Sequence, residues 1–166
     1  MNPTETIVFS HPKLEDGLKI HALIENCPPL DLNSSYCYML CSSLWADTSI
    51  CTWNKDQLIG FISALIRPDR PDTLFIWQVA VDKSARGQRL AQRMMQELLK
   101  RPTAKEIKYI HTTISPDNTA SWGTFNSLTQ ALKCESRTLP FLDKDTHFNG
   151  LHESEDLLEI GPFHLP

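Results

Sequence analysis

The sequence predicts an α/β or α+β domain built on a mixed sheet, and three observations predict it. Strand-like and helix-like runs interleave in the order β-α-α-β-β-β-α-β-α-β-β. Turn and breaker residues (Pro28-Pro29, Asn54-Lys55-Asp56, Pro102) fall between those runs and not inside them. No internal repeat or low-complexity stretch divides the 166 residues, a length that fits one domain, residues 1–166, around one substantial core.

Each element has a local reason. Residues 5–9 read as a first strand, and Leu14 to Cys27 as an amphipathic helix closed by Pro28-Pro29. Asp31-Leu32-Asn33-Ser34-Ser35 offers several N-cap side chains to a second helix running to about Trp45. Residues 48–53 and 57–66 are β-rich, and Asn54-Lys55-Asp56 joins them with hairpin turn chemistry. A strand over 73–81 follows Pro68 and Pro71. A helix over 87–100 ends before Pro102, and Ile107 to Ile114 is strand again. Asp117-Asn118 caps a helix over 118–131. Strands over 132–139 and 156–161 flank a polar loop, 140–154.

Composition removes several function classes. Sixteen Lys and Arg against twenty Asp and Glu give a net charge of -4, which argues against bulk attraction to nucleic acid or an acidic membrane. No apolar run approaches a bilayer span, and the first thirty residues lack an export-signal pattern. The five cysteines, Cys27, Cys37, Cys41, Cys51 and Cys134, form no CxxC pair. Buried thiols in a reducing cytoplasm, with no metal, are the plain reading.

The most informative stretch is Ile76-Trp77-Gln78-Val79-Ala80-Val81-Asp82 followed by Arg86-Gly87-Gln88-Arg89-Leu90-Ala91. It reads as a strand that stops at a basic, glycine-containing turn and feeds a helix. Outward-pointing N–H groups and the helix dipole at such a start attract anions, and Arg86, Arg89 and Arg93 add charge. A P-loop GxxxxGK[ST] and a Rossmann GxGxxG are both absent. Other phosphorylated ligands remain, coenzyme A among them, as does an ordinary exposed turn.

These residues resemble the acetyl-coenzyme A motif, Q/R-x-x-G-x-G/A, of the GCN5-related N-acetyltransferases. Arg86 takes its first place and Ala91 its last; Arg89 stands where the middle glycine is usual. Ser115-Pro116-Asp117-Asn118-Thr119-Ala120-Ser121 is also similar to that family, in which an Asn at a helix start bonds the coenzyme. A Tyr seven residues later often serves there as general acid, but this chain has Phe125, which has no proton to give. The resemblance implies the family fold, a mostly antiparallel mixed sheet flanked by helices. It also implies acetyl-CoA as co-substrate, held by Val79, Val81, Arg86, Gly87, Gln88, Arg89, Leu90, Ala91, Asn118 and Ser121.

Three further segments narrow the resemblance: Cys27 to Tyr36, Trp77 to Val81, and His152-Glu153-Ser154-Glu155. They look like the branch of the superfamily that acetylates L-2,4-diaminobutyrate on its 4-amino group, giving a precursor of the compatible solute ectoine. That resemblance implies an acceptor site lined by Asp31, Tyr36, Trp77, His152 and Glu155, with Glu155 as proton acceptor, and a homodimer. Read without it, Asp31 is a helix cap, Glu155 and His152 are surface groups, and Trp77 is core. Two other functions stay open here: acetylation of another small amine or a protein N-terminus, and acyl-CoA sensing without catalysis.

Overall fold

The computed structural model describes residues 6–166, so residue 5 of the expected first strand lies outside it. Among the described residues, seven strands and four α-helices follow one another in the predicted order. They are β1 (Ile7–Ser10), α1 (Gly17–Glu25), α2 (Ser35–Leu44), β2 (Ile50–Asn54), β3 (Gln57–Arg67) and β4 (Arg70–Val81), then α3 (Leu90–Leu99), β5 (Tyr109–Ile114), α4 (Thr119–Ala131), β6 (Ser136–Leu142) and β7 (Glu155–Ile160). Among the described residues no helix is long and apolar enough to cross a membrane.

The chain forms two compact units. The first holds residues up to Leu65 and Trp77–Lys105; the second holds Ile66–Ile76 and Glu106–Pro166. Strand order is β1-β2-β3-β4 in the first and β4-β5-β7-β6 in the second. In the first unit β1 pairs antiparallel with β2, and β2 with β3, where Asn54 opposes Gln57 across the Lys55-Asp56 turn. Lys55 takes φ 53, the left-handed backbone that a two-residue hairpin turn requires. In the second unit β4 pairs parallel with β5 over Thr73–Phe75, and β7 lies antiparallel between β5 and β6.

The first unit's core gathers Ile20, Leu23, Ile24 and Cys27 around Tyr38, Cys41, Cys51, Leu58, Phe61 and Ala80. Helix α3 buries Leu90, Met94, Met95, Leu98 and Leu99 on one face and leaves Arg93 and Gln96 in solvent, the 3.6-residue pattern read from sequence. Each such side chain contributes about 1.5–3 kcal/mol by leaving water.

Four elements differ from expectation by three residues or more, each for a local reason. Leu14–Asp16 is a 3-10 turn, so α1 begins only at Gly17. Strand β4 starts at Arg70, because Pro68-Asp69 makes the turn from β3 and Pro71 sits tolerably near a strand start. Helix α3 starts at Leu90 and not at 87, since Gly87 (φ 76) and Arg89 (φ 56) are both left-handed. Strand β6 runs Ser136–Leu142 and not 132–139. It holds Pro140 at an edge position, where a missing N–H costs no ladder bond.

Candidate active site

In the first unit, β4 ends at the basic turn. Asp82 opens that turn by accepting from the Ser84 N–H (2.9 Å) and hydroxyl (2.6 Å). Those bonds from Ser84 hold the Asp82 carboxyl below its ordinary range, against the opposing effect of burial. The Arg86 Nε donates back to the Val81 carbonyl at 3.2 Å, and the Gln88 amide to the Ser84 carbonyl at 3.4 Å. A Cβ built on Gly87 meets nothing within 4 Å, so glycine is favoured there by its positive φ and not by crowding. Arg89 is the N-cap of α3, at φ 56 and ψ 29, with its carbonyl accepting from the Arg93 N–H at 3.0 Å.

The turn is therefore an exposed, backbone-ordered loop that presents Arg86 and Arg89 ahead of a helix start. Arg93 is different: its guanidinium lies 5.4 Å from the Phe9 ring centroid, a cation–π contact within the unit. Val79 and Val81 are half-buried on β4, and Leu90 is buried while Ala91 is half-buried. Exposed Arg86 and Arg89 ahead of a helix start are chemistry suited to a phosphate group.

The same unit carries three of the predicted acceptor residues. Asp31 is exposed on the segment before α2, Tyr36 is 68% exposed in the first turn of α2, and Trp77 is 38% exposed on β4. Trp77 is thus not the core residue that its strand setting alone would imply. Asp31 is not the cap of α2: that position is Ser34, whose hydroxyl accepts from the Cys37 N–H at 3.1 Å. The cap reading of Asp31 falls away.

In the second unit, Asn118 caps α4 by accepting from the Ser121 N–H at 3.2 Å. That cap uses the side-chain oxygen and does not consume the NH2 donor. Phe125 is buried on the same helix, so a hydroxyl is absent there by packing as well as by sequence. The loop after β6 is organised by its own polar groups. Asp143 accepts from the N–H groups of Asp145 and Thr146, which lowers its carboxyl, and Lys144 pairs with Glu153 at 2.7 Å.

At the end of that loop His152 stacks on Phe148, with ring centroids 4.7 Å apart. Its Nδ1 lies 2.8 Å from the Glu153 carbonyl, which only accepts, so Nδ1 carries the proton. Its Nε2 is then turned to Glu155, 3.9 Å from Oε1. Both are partly buried, and so neither is the plain surface charge that sequence alone would allow.

Sequence reading missed two polar networks. The first joins Gln78, Tyr38 and the segment 31–33 in the first unit. The second lies in the second unit around Glu159, which accepts from Arg70 (2.8 Å), His111 (2.8 Å) and Arg137 (2.7 Å). Burial alone would raise the Glu159 carboxyl, but hydrogen bonds from His111, Arg70 and Arg137 win and hold it at about 2. Burial lowers His111, so the neutral ring donates Nε2–H to Glu159 and accepts at Nδ1 from Arg67, 3.1 Å away. The available signal was one polar residue inside each apolar run: Gln78 within Ile76–Val81, and Glu159 within Leu157–Ile160. Among the described residues no group of three or more His, Cys, Asp or Glu side chains is placed to hold a metal ion.

Comparison with known proteins shows the family. The acetyltransferase (GNAT) family profile matches residues 19–128. An L-2,4-diaminobutyric acid acetyltransferase of Methylotuvimicrobium alcaliphilum is 46% identical over 95% of this chain and 91% of its own length. The enzyme of the same name from Vibrio parahaemolyticus is 45% identical over 96% and 88%. Among solved structures, a diaminobutyrate acetyltransferase from Paenibacillus lautus, in complex with its substrate L-2,4-diaminobutyric acid and coenzyme A, superposes with a TM-score of 0.92. It is 36% identical over 98% of both chains. With the coenzyme-type turn on β4 and these relatives together, the chain belongs to the GNAT family of acetyltransferases, in its L-2,4-diaminobutyric acid acetyltransferase branch.

Proposed function

We infer that this protein moves the acetyl group of acetyl-CoA to the 4-amino group of L-2,4-diaminobutyrate, giving N4-acetyl-L-2,4-diaminobutyrate for ectoine biosynthesis. The observation that carries the reading is the near full-length likeness to an enzyme solved with that substrate and coenzyme A. The loop Arg86 to Ala91 holds the diphosphate, and backbone N–H groups around Val79 and Val81 hold the pantetheine arm and the thioester carbonyl. Asn118, with Ser121 in its cap, gives its NH2 donor to the coenzyme. Preorganised donors of this kind supply a few kcal/mol where the oxyanion develops.

The acceptor arrives as an ammonium, with an ordinary pKa of about 10.4, and must lose a proton before it reacts. Glu155 takes that proton, directly or through water. The amine nitrogen then forms a bond to the thioester carbon, the C–S bond breaks, the nitrogen gives its second proton to solvent to leave the neutral amide, and the coenzyme leaves as thiolate, protonated by solvent. Direct attack is favoured by the cysteines. Burial pushes the Cys41 thiol up to about 12 and raises Cys51 and Cys134 as well, so none of these three is a ready nucleophile. Burst kinetics or an isolable acetyl-protein would overturn this step.

Acidic Asp31 holds an ammonium group of the substrate, with Tyr36 as a polar neighbour and Trp77 as an aromatic wall; His152 serves as the polar partner of Glu155. Asp31→Asn is expected to raise the KM for diaminobutyrate roughly 10- to 100-fold, the worth of a charged hydrogen bond, with the KM for acetyl-CoA little changed. The direct test of the function is thiol release from acetyl-CoA with a panel of amines. Release with diaminobutyrate supports the reading; release only with other amines or peptides, or with none, sets it aside.

The chain works as one acetyltransferase domain in the cytoplasm, as its free thiols and its use of acetyl-CoA favour. It pairs as a homodimer. Edge strand β6, with Leu139 and Phe141 on its surface, supports a second copy as partner. Light scattering should return twice the 18.9 kDa chain mass, and a monomer mass would reject the dimer.

A further inference from the structure

Gln78 stands between Trp77 and Val79, the one polar side chain in the run from Ile76 to Val81, yet it is only 5% exposed. A carboxamide is costly to bury unless both of its ends are bonded. Both are. Its Nε2 donates to the Asp31 carbonyl at 2.7 Å, and its Oε1 accepts from the Tyr38 hydroxyl at 3.2 Å. The Tyr38 oxygen in turn accepts from the Asn33 N–H at 3.1 Å.

The chemistry fixes these directions. A carbonyl oxygen only accepts, so the NH2 end must face Asp31, and the opposite end must then face a donor. Tyr38 is fully buried, packed edge-on against Phe61 with ring centroids 6.4 Å apart, and the Gln78 N–H donates to the Ser63 hydroxyl at 3.2 Å. The latch is thus anchored on core groups of the first unit. What it grips is the backbone of an irregular segment at two points, Asp31 and Asn33, whose side chains a ligand can reach.

We propose that Gln78 is a positioning residue for the acceptor substrate. By clamping the Asp31 carbonyl and, through Tyr38, the Asn33 amide, it sets where the Asp31 carboxylate stands and so how tightly a short diamino acid is held. The role needs a donor and an acceptor on one planar group. Methionine offers neither, and glutamate would turn a negative oxygen toward a carbonyl. The inference rests on the reading of Asp31 as a substrate ligand, and the test separates the two.

Gln78→Met keeps the side-chain volume and removes both bonds, while Tyr38→Phe removes only the hydroxyl and serves if the first variant folds poorly. Steady-state kinetics with both substrates are measured for each, together with Asp31→Asn and the Asp31→Asn/Gln78→Met pair. The expected result is a KM for diaminobutyrate raised several-fold to about tenfold by Gln78→Met. Tyr38→Phe should give a smaller rise, and the KM for acetyl-CoA should stay within about twofold. The pair should be no worse than Asp31→Asn alone, because the latch acts through Asp31. Equal rises in both KM values, or effects that multiply in the pair, would overturn the proposal. An effective Asp31→Asn beside a silent Gln78→Met removes the latch alone, whereas a silent Asp31→Asn removes the ligand role of Asp31 from beneath it.

Discussion

Replacing Glu155 by Gln is expected to lower turnover about 100-fold or more at neutral pH, the usual worth of a positioned base. The pH profile is the sharper readout. The neutral fraction of the acceptor amine falls tenfold for each pH unit below its pKa, so the group that removes its proton matters most at low pH. Wild type and variant should therefore diverge as the pH falls and converge as it rises toward about 10, where solvent deprotonates the amine unaided. The geometry supports the choice of residue: Glu155 opens β7, is partly buried, and has His152 Nε2 3.9 Å from its carboxylate. Parallel pH profiles, offset by a constant, would remove Glu155 from the proton-transfer step.

The largest loss of stability is expected from Glu159→Gln, about 3–5 kcal/mol, because it removes the anion from a buried cluster and leaves the donors behind. The three donors are unequal. His111 is buried and Arg70 is 36% exposed, so these two bonds carry most of the effect, whereas Arg137 is 67% exposed and contributes little. The sign of the pH dependence follows from the direction of each shift. The Glu159 carboxyl is lowered from 4.5 to about 2, so its stabilisation is present above about 4.5 and is lost as the pH falls toward 2. His111 is also lowered, so its neutral form favours the fold, and that stability is lost as the pH falls through and below 6.5. Urea unfolding at a series of pH values should show the gap between wild type and Glu159→Gln closing below about pH 4.5. A gap that is small at pH 7, or that does not close, would contradict the cluster's role.

How far the sequence could be read depended on whether the controlling physics was local. Element order was legible throughout, since alternation, amphipathic spacing and breakers such as Pro28-Pro29 and Pro102 act within a few residues. The Asn118 cap and the Lys55 hairpin turn were legible for the same reason. The start of α3 was not, because an arginine in left-handed backbone carries no compositional flag, unlike a glycine. Nor was the extent of β6, where Pro140 reads as a terminator until the strand is known to lie at a sheet edge.

The site divided along the same line. The basic turn was legible as a contiguous motif, and the acceptor residues came only through family resemblance. Gln78 and Tyr38 are 40 residues apart, and Arg70 and Glu159 are 89 apart, so no window along the chain joins them. Asp31 illustrates the cost of local reasoning: the string Asp31 to Ser35 offers several caps, and only the backbone angles select Ser34.

Arg89 has a consequence for the turn that it closes. A side chain with a Cβ pays about 1–2 kcal/mol to sit where glycine sits freely, and that cost is met before any ligand arrives. A glycine at this place would loosen the turn, because it populates many more backbone states. The arginine therefore acts as a stiffener: the turn at the head of α3 is held set, with some of the fold's own cohesion given up to keep it so.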